Sequence, residues 1–109
     1  MNVELIMREL NGLGINDSGL VHFVELLNIE LVNGGFEGIR INSDRMSFSS
    51  VYRGIEMLVV WFVKKELASR ELGSDNEGKR FGALNHFRYA KDRYLSEMLR
   101  LRRDVNLGS

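Results

Sequence analysis

Cysteine and proline are both absent from this chain of 109 residues. Without cysteine there is no disulfide framework, no thiolate nucleophile and no cysteine-ligated zinc or iron–sulfur site. Long apolar runs are missing too, because the longest, "MLVVWFV" over 57–63, is far shorter than the roughly 20 residues that span a bilayer. We therefore expect a soluble protein of a reducing compartment, the cytoplasm.

Net charge is also lacking, since 15 basic residues balance 15 acidic ones. This balance argues against a general affinity for nucleic acids or membranes, which depends on surplus positive charge. The signs are unevenly spread, however: acidic residues dominate up to Ser50, and basic residues dominate from Lys79 to Arg103. The interpretation we favour is attraction between the two halves, within one chain or across a dimer.

Apolar periodicity and capping signals predict a mainly α fold, a four-helix domain with a small β-hairpin between helices 2 and 3. A chain of this length and composition is expected to form a single domain over 1–109. The glycine-flanked "GSDNEG" predicts a flexible loop over 73–78. The helices are predicted over 2–10, 20–32, 49–72 and about 81–105, the second capped by Asn16, Asp17 or Ser18 and the third by Ser49 or Ser50.

The predicted hairpin lies in "GIRINSDRMSF". Ile39 and Ile41 alternate with a polar residue, as do Met46 and Phe48, and the "NSD" between these pairs is typical of a turn. An isolated hairpin is marginally stable in water, so we expect it to pack on the helices or to pair with another chain.

The last predicted helix carries apolar residues at alternating spacings of three and four, which suits antiparallel packing against the 49–72 helix. Two helices that are apolar around most of their surface are much to bury in so short a chain, and we therefore predict a homodimer. The predicted interface residues are Trp61, Phe87, Tyr94, Met98 and Leu101.

The stretch "RFGALNH" places Arg80 and His86 with five residues between them, and "LRRDVNLG" follows near the end of the chain. These two stretches resemble motifs of the HEPN ribonucleases, small helical dimers in which an arginine and a histidine from both chains form an RNA-cleaving site. The resemblance implies proton transfer by histidine and stabilisation of phosphate charge by arginine. The chain departs from the family pattern at Phe81, where HEPN proteins usually have a polar residue, and at Leu107, where the second motif has histidine.

Basic and aromatic side chains of the same helix define an alternative function, which is HEPN-like RNA processing or nucleic-acid binding. On a helical wheel the arginines are widely spread, which favours a solvated face over a binding stripe. The nucleic-acid-binding residues of this alternative are Arg80, His86, Arg88, Tyr89 and Arg93.

Other chemical motifs are weak. His22 and Glu25 have a spacing that suits two metal ligands on a helix, but nothing supplies a third, and "NGGFEG" lacks the strand-to-helix context of a phosphate loop. We therefore predict no metal, no cofactor and no catalytic residue. The function we favour is a small non-enzymatic regulatory or adaptor module of prokaryotic type that binds a protein partner, and a small-ligand pocket between the helices stays open as a third class.

Overall fold

Four α-helices make up most of the residues that the computed structural model describes, which are 2–36, 41, 54–73 and 75–107. No strand occurs among these residues, and the prediction of a mainly α fold with four helices is confirmed. The predicted hairpin lies outside the described residues, apart from Ile41. The helices are α1 Val3–Glu9, α2 Asp17–Asn33, α3 Ile55–Glu71 and α4 Glu77–Leu107.

Asparagine side chains cap the starts of α1 and α2. The Oδ1 of Asn2 accepts a hydrogen bond from the Leu5 N–H at 3.1 Å, and the Oδ1 of Asn16 accepts one from the Gly19 N–H at 2.8 Å. Each bond satisfies a backbone donor that has no partner within the first turn of the helix. Of the predicted caps for α2, Asn16 is therefore the one used, and the helix starts earlier than the predicted residue 20.

The end of α2 is set by Gly35, whose φ of 88° lies in the left-handed region. The Gly35 N–H donates to the Val32 carbonyl at 3.0 Å, and the Phe36 N–H donates to the Leu31 carbonyl at 2.8 Å. These two bonds form a Schellman motif, in which a left-handed glycine lets the chain turn back and satisfy the last carbonyls. Phe36 and Leu31 are both buried, so the motif also directs the chain back to the core.

The start of α3 corrects the sequence prediction of a helix over 49–72. Gly54 has a φ of 86°, so a right-handed helix cannot pass through it, and α3 begins at Ile55. The predicted caps Ser49 and Ser50 lie outside the described residues. A left-handed glycine next to a strong apolar run is a local stop that hydrophobic periodicity does not reveal.

The start of α4 also differs from prediction, because the helix begins at Glu77 and not near Phe81. The Oδ1 of Asn76 accepts from the Lys79 N–H at 3.1 Å, and the Asn76 carbonyl accepts from the Arg80 N–H at 3.0 Å. This capping extends the helix through Glu77 and Gly78, which the prediction had placed in the 73–78 loop. The predicted loop is therefore too long at its C-terminal side.

The chain divides into two compact units, Met1–Val60 and Trp61–Ser109, each with its own buried side chains. In the first unit, α2 buries a helical stripe of Leu20, Phe23, Val24, Leu27 and Leu31. In the second unit, α4 buries one side against the C-terminal part of α3, where the rings of Phe62 and Tyr94 lie 5.7 Å apart. The single domain over 1–109 stays a prediction.

Within the described residues, none of the helices has the length and apolar character required to cross a bilayer.

Candidate functional site

The clearest grouping of predicted site residues surrounds the indole of Trp61, in the second unit. The rings of Trp61 and Tyr89 meet edge to face, with centroids 5.4 Å apart and planes inclined at 82°. The Arg93 guanidinium carbon lies 5.4 Å from the Trp61 ring centroid, and the Lys64 Nζ lies 4.8 Å from it. We call these four residues the Trp61 cluster.

Helix geometry accounts for the cluster. Trp61 and Lys64 are three residues apart on α3, and Tyr89 and Arg93 are four apart on α4, so each pair lies on one side of its helix. Cations near the face of an indole are attracted by its ring quadrupole, by about 0.5–1 kcal/mol each at exposed sites. The arrangement therefore stabilises the packing of α3 on α4 whether or not it binds anything.

The cluster also offers groups that a ligand can contact. Tyr89 is 60% exposed, and the positive charge of Arg93 is exposed beside it. An exposed aromatic ring next to a cation suits stacking on a base and pairing with a phosphate. None of the four side chains supplies a nucleophile with an adjacent general base.

Arg80 and His86 are not brought together within one chain. Both lie in α4, where six residues correspond to roughly 9 Å along the axis and about 120° around it. Contact between them would require the helix to begin after Gly82, and α4 begins at Glu77. Their side chains are both exposed.

The helix also separates the other predicted nucleic-acid residues. His86, Tyr89 and Arg93 follow one another at spacings of three and four, which places them on one side of α4. Arg88 lies about 140° around the helix from Arg93, on a different side. The predicted set therefore divides, and only part of it adjoins the Trp61 cluster.

The predicted interface residues lie at different depths. Tyr94 and Leu101 are buried within the chain, whereas Trp61, Phe87 and Met98 are half-buried. Tyr94 lies beside Phe62 in the core of the second unit, and only Trp61, Phe87 and Met98 keep surface that a partner can contact. Whether those three meet a partner stays a prediction.

Three exposed apolar side chains of α4 are absent from the predicted interface. Phe81 is 72% exposed, Leu99 is 65% exposed and Leu95 is 47% exposed. They belong to a second series with spacings of four and three, on the opposite side of α4 from the buried residues. A search for a second heptad register along the same helix would have found this series. We call this series the outer stripe; it comprises Phe81, Asn85, Arg88, Asp92, Leu95, Leu99 and Arg102.

Among the described residues, no three His, Asp or Glu side chains lie close enough together to hold a metal ion. His22 and Glu25 are both exposed, and the His22 ring lies 5.9 Å from that of Phe23.

Compared with protein-family models, with curated proteins and with solved structures, the chain matches none of them.

Proposed function

We propose that this protein is a non-enzymatic interaction module that acts as a homodimer and binds protein through α4. The observation that carries the proposal is the exposure of Phe81, Leu95 and Leu99 on the outer stripe. Scattered apolar residues are normal on a surface, but a series along one side of a helix is typical of a helix that packs against a partner.

The remaining residues of the outer stripe favour a protein partner over a lipid surface. Arg88 and Arg102 alternate along it with the opposite charge of Asp92 and the amide of Asn85. Interleaved charges of both signs are common on coiled-coil and bundle surfaces, where they select a partner and its orientation. A helix that binds anionic membranes instead has a wide apolar face opposite a basic one.

Light scattering coupled to size-exclusion chromatography tests the proposal. The chain has a mass of 12.5 kDa, so a homodimer has twice that mass, 25 kDa. We expect the dimer at micromolar concentrations and its dissociation in Leu99→Ser. Ile29→Ser is the matched control, because Ile29 is also an exposed apolar residue of a helix, α2. A wild-type protein that stays at 12.5 kDa over the whole concentration range would overturn the proposal.

A second candidate function is the binding of single-stranded nucleic acid by the Trp61 cluster. It is favoured by the exposed Tyr89 ring beside the Arg93 guanidinium. Stacking of a base on an aromatic ring contributes about 1–3 kcal/mol, and phosphate contacts make the affinity fall with salt.

Fluorescence anisotropy with a labelled single-stranded RNA separates this candidate from general charge attraction. Arg93→Ala is expected to weaken binding more than Arg88→Ala, because Arg88 lies on a different side of α4. Equal weakening would indicate attraction without a site, and no binding at low salt would exclude this function.

HEPN-like cleavage further predicts that His86→Ala abolishes cleavage without loss of helicity by circular dichroism.

A further inference from the structure

The outer stripe of α4 is palindromic in its chemistry. Phe81 and Leu99, the two most exposed apolar residues of the helix, are 18 residues apart, which is five helical turns, so they lie on one line. Arg88 lies seven residues after Phe81, and Asp92 lies seven residues before Leu99. Both pairs are therefore centred on Ala90.

We infer that the protein partner of α4 is a second copy of the same helix, packed antiparallel along the outer stripe, with the two-fold axis crossing the stripe at the level of Ala90 along the helix. This inference rests on the proposed function, and it adds the surface, the orientation and the register. In this arrangement Phe81 of each chain contacts the second copy of Leu99. Arg88 of each chain meets the second copy of Asp92, as an isologous interface requires.

The charges select the antiparallel orientation. In a parallel, in-register pair, each Arg88 would face its own copy and so would each Asp92, and like charges repel. The antiparallel pair replaces both repulsions with two equivalent ion pairs. Neither Arg88 nor Asp92 forms an ion pair with another part of the described chain, so both are available to a second copy.

The apolar side chains select the register. Centring on Ala90 covers Phe81, Leu95 and Leu99 of both chains, with Leu95 next to the second copy of Asn85. A register centred on Glu97 would pair Leu95 with Leu99 and Asp92 with Arg102, but it leaves Phe81 in water. The Ala90 register buries all the large apolar residues of the stripe and overlaps a longer part of α4. The polar Asn85 beside Leu95 lowers affinity while helping to define the register.

Disulfide mapping tests the register directly, because the chain has no cysteine of its own. The double variant Phe81→Cys, Leu99→Cys weakens the interface, but cysteine is itself a small apolar residue, so the variant is oxidised well above micromolar concentration, where the dimer still forms. It is expected to give a covalent dimer on mild oxidation and to lose it on reduction. Within one chain the two sites are roughly 27 Å apart along α4, too far for a disulfide, whose Cα atoms lie within about 7 Å.

The single variant Leu95→Cys is the matched control, since Leu95 is also exposed on the outer stripe. In the Ala90 register its two copies are offset by roughly 15 Å along the axis and cannot be linked. Efficient cross-linking of Leu95→Cys would indicate a parallel pair or the Glu97-centred register and would overturn the inference.

Charge reversal provides an independent test by sedimentation equilibrium. Arg88→Glu places like charges opposite each other at two positions per dimer. We therefore expect the dissociation constant of the dimer to rise at least about tenfold. The double variant Arg88→Glu, Asp92→Arg restores opposite charges and is expected to return to within about threefold of wild type.

The outcomes separate the two proposals. A dimer that resists Arg88→Glu and gives no link between positions 81 and 99 would overturn this inference and leave the homodimeric function standing. A wild-type chain that is monomeric would overturn both. Circular dichroism of each variant checks that the exposed substitutions have not disturbed the helices.

Discussion

The side chain of Asn28 forms two hydrogen bonds with the backbone of Ile41. Its Nδ2 donates to the Ile41 carbonyl oxygen at 2.8 Å, and its Oδ1 accepts from the Ile41 N–H at 2.9 Å. The amide thus matches both polar groups of one residue, as a neighbouring strand would. Ile41 itself is fully buried, so the two bonds satisfy backbone groups next to the core of the first unit.

Replacing Asn28 with alanine should destabilise the protein. The substitution leaves a buried N–H and C=O without partners, and we expect a loss of about 1–3 kcal/mol in the free energy of unfolding, measured with urea. Asn33→Ala is the matched control, because Asn33 lies at the exposed end of the same helix. Equal effects of the two substitutions would show that the Ile41 contact contributes nothing.

The cap of α2 gives a second prediction. Asn16→Ala removes the side chain that accepts from the Gly19 N–H, and such caps contribute about 1 kcal/mol. Asn16→Asp retains an acceptor and should keep most of the stability. Ser18→Ala, two residues into the same segment, should have little effect; if thermal unfolding shows it to be as harmful as Asn16→Ala, the assignment of the cap is wrong.

The same substitution at two glycines should have opposite effects. Gly35→Ala forces a side chain into a backbone with a φ of 88°, which we expect to destabilise the protein by about 1 kcal/mol. Gly82→Ala lies within α4, where the added Cβ meets open space, and should stabilise it by roughly 0.5–1 kcal/mol. Chemical denaturation of both variants checks the signs, and a stabilising Gly35→Ala would contradict the Schellman motif.

The fluorescence of Trp61, the only tryptophan in the chain, reports on the Trp61 cluster. Tyr89→Ala removes the ring that packs edge to face on the indole, so we expect a red-shifted emission and a loss of about 0.5–1 kcal/mol in stability. Tyr89→Phe preserves the ring and should change neither quantity. An unchanged emission maximum in Tyr89→Ala would argue against the ring contact.

Much of the helical architecture could be predicted locally. The apolar repeats of α2 and α4 and the asparagines before them are signals that lie within one or two turns of the helices they define. The residues at which the helices begin were harder to predict. Ser49 and Gly54 are both plausible limits for α3, and the left-handed φ at Gly54 decided between them. The cap formed by Asn76 similarly sets the start of α4 at Glu77, so that Glu77 and Gly78 belong to the helix.

The candidate site could be predicted only in part. Tyr89 and Arg93 were recognised as a basic and aromatic pair, but their meeting with Trp61 depends on how α4 packs on α3, a contact between residues far apart in sequence. The same packing buries Tyr94, for which the sequence predicts both packing on the third helix and a place at an interface.

The sequence by itself determined that this protein is mainly helical, because helix formation depends on spacings and caps that operate over a few neighbouring residues. The sequence predicted one apolar series of α4 both to pack on the third helix and to meet a partner, and only the tertiary structure decided that Tyr94 and Leu101 of this series are covered within the chain. The outer stripe with Phe81 and Leu99 is left at the surface because it lies on the opposite side of α4 from the face that is buried.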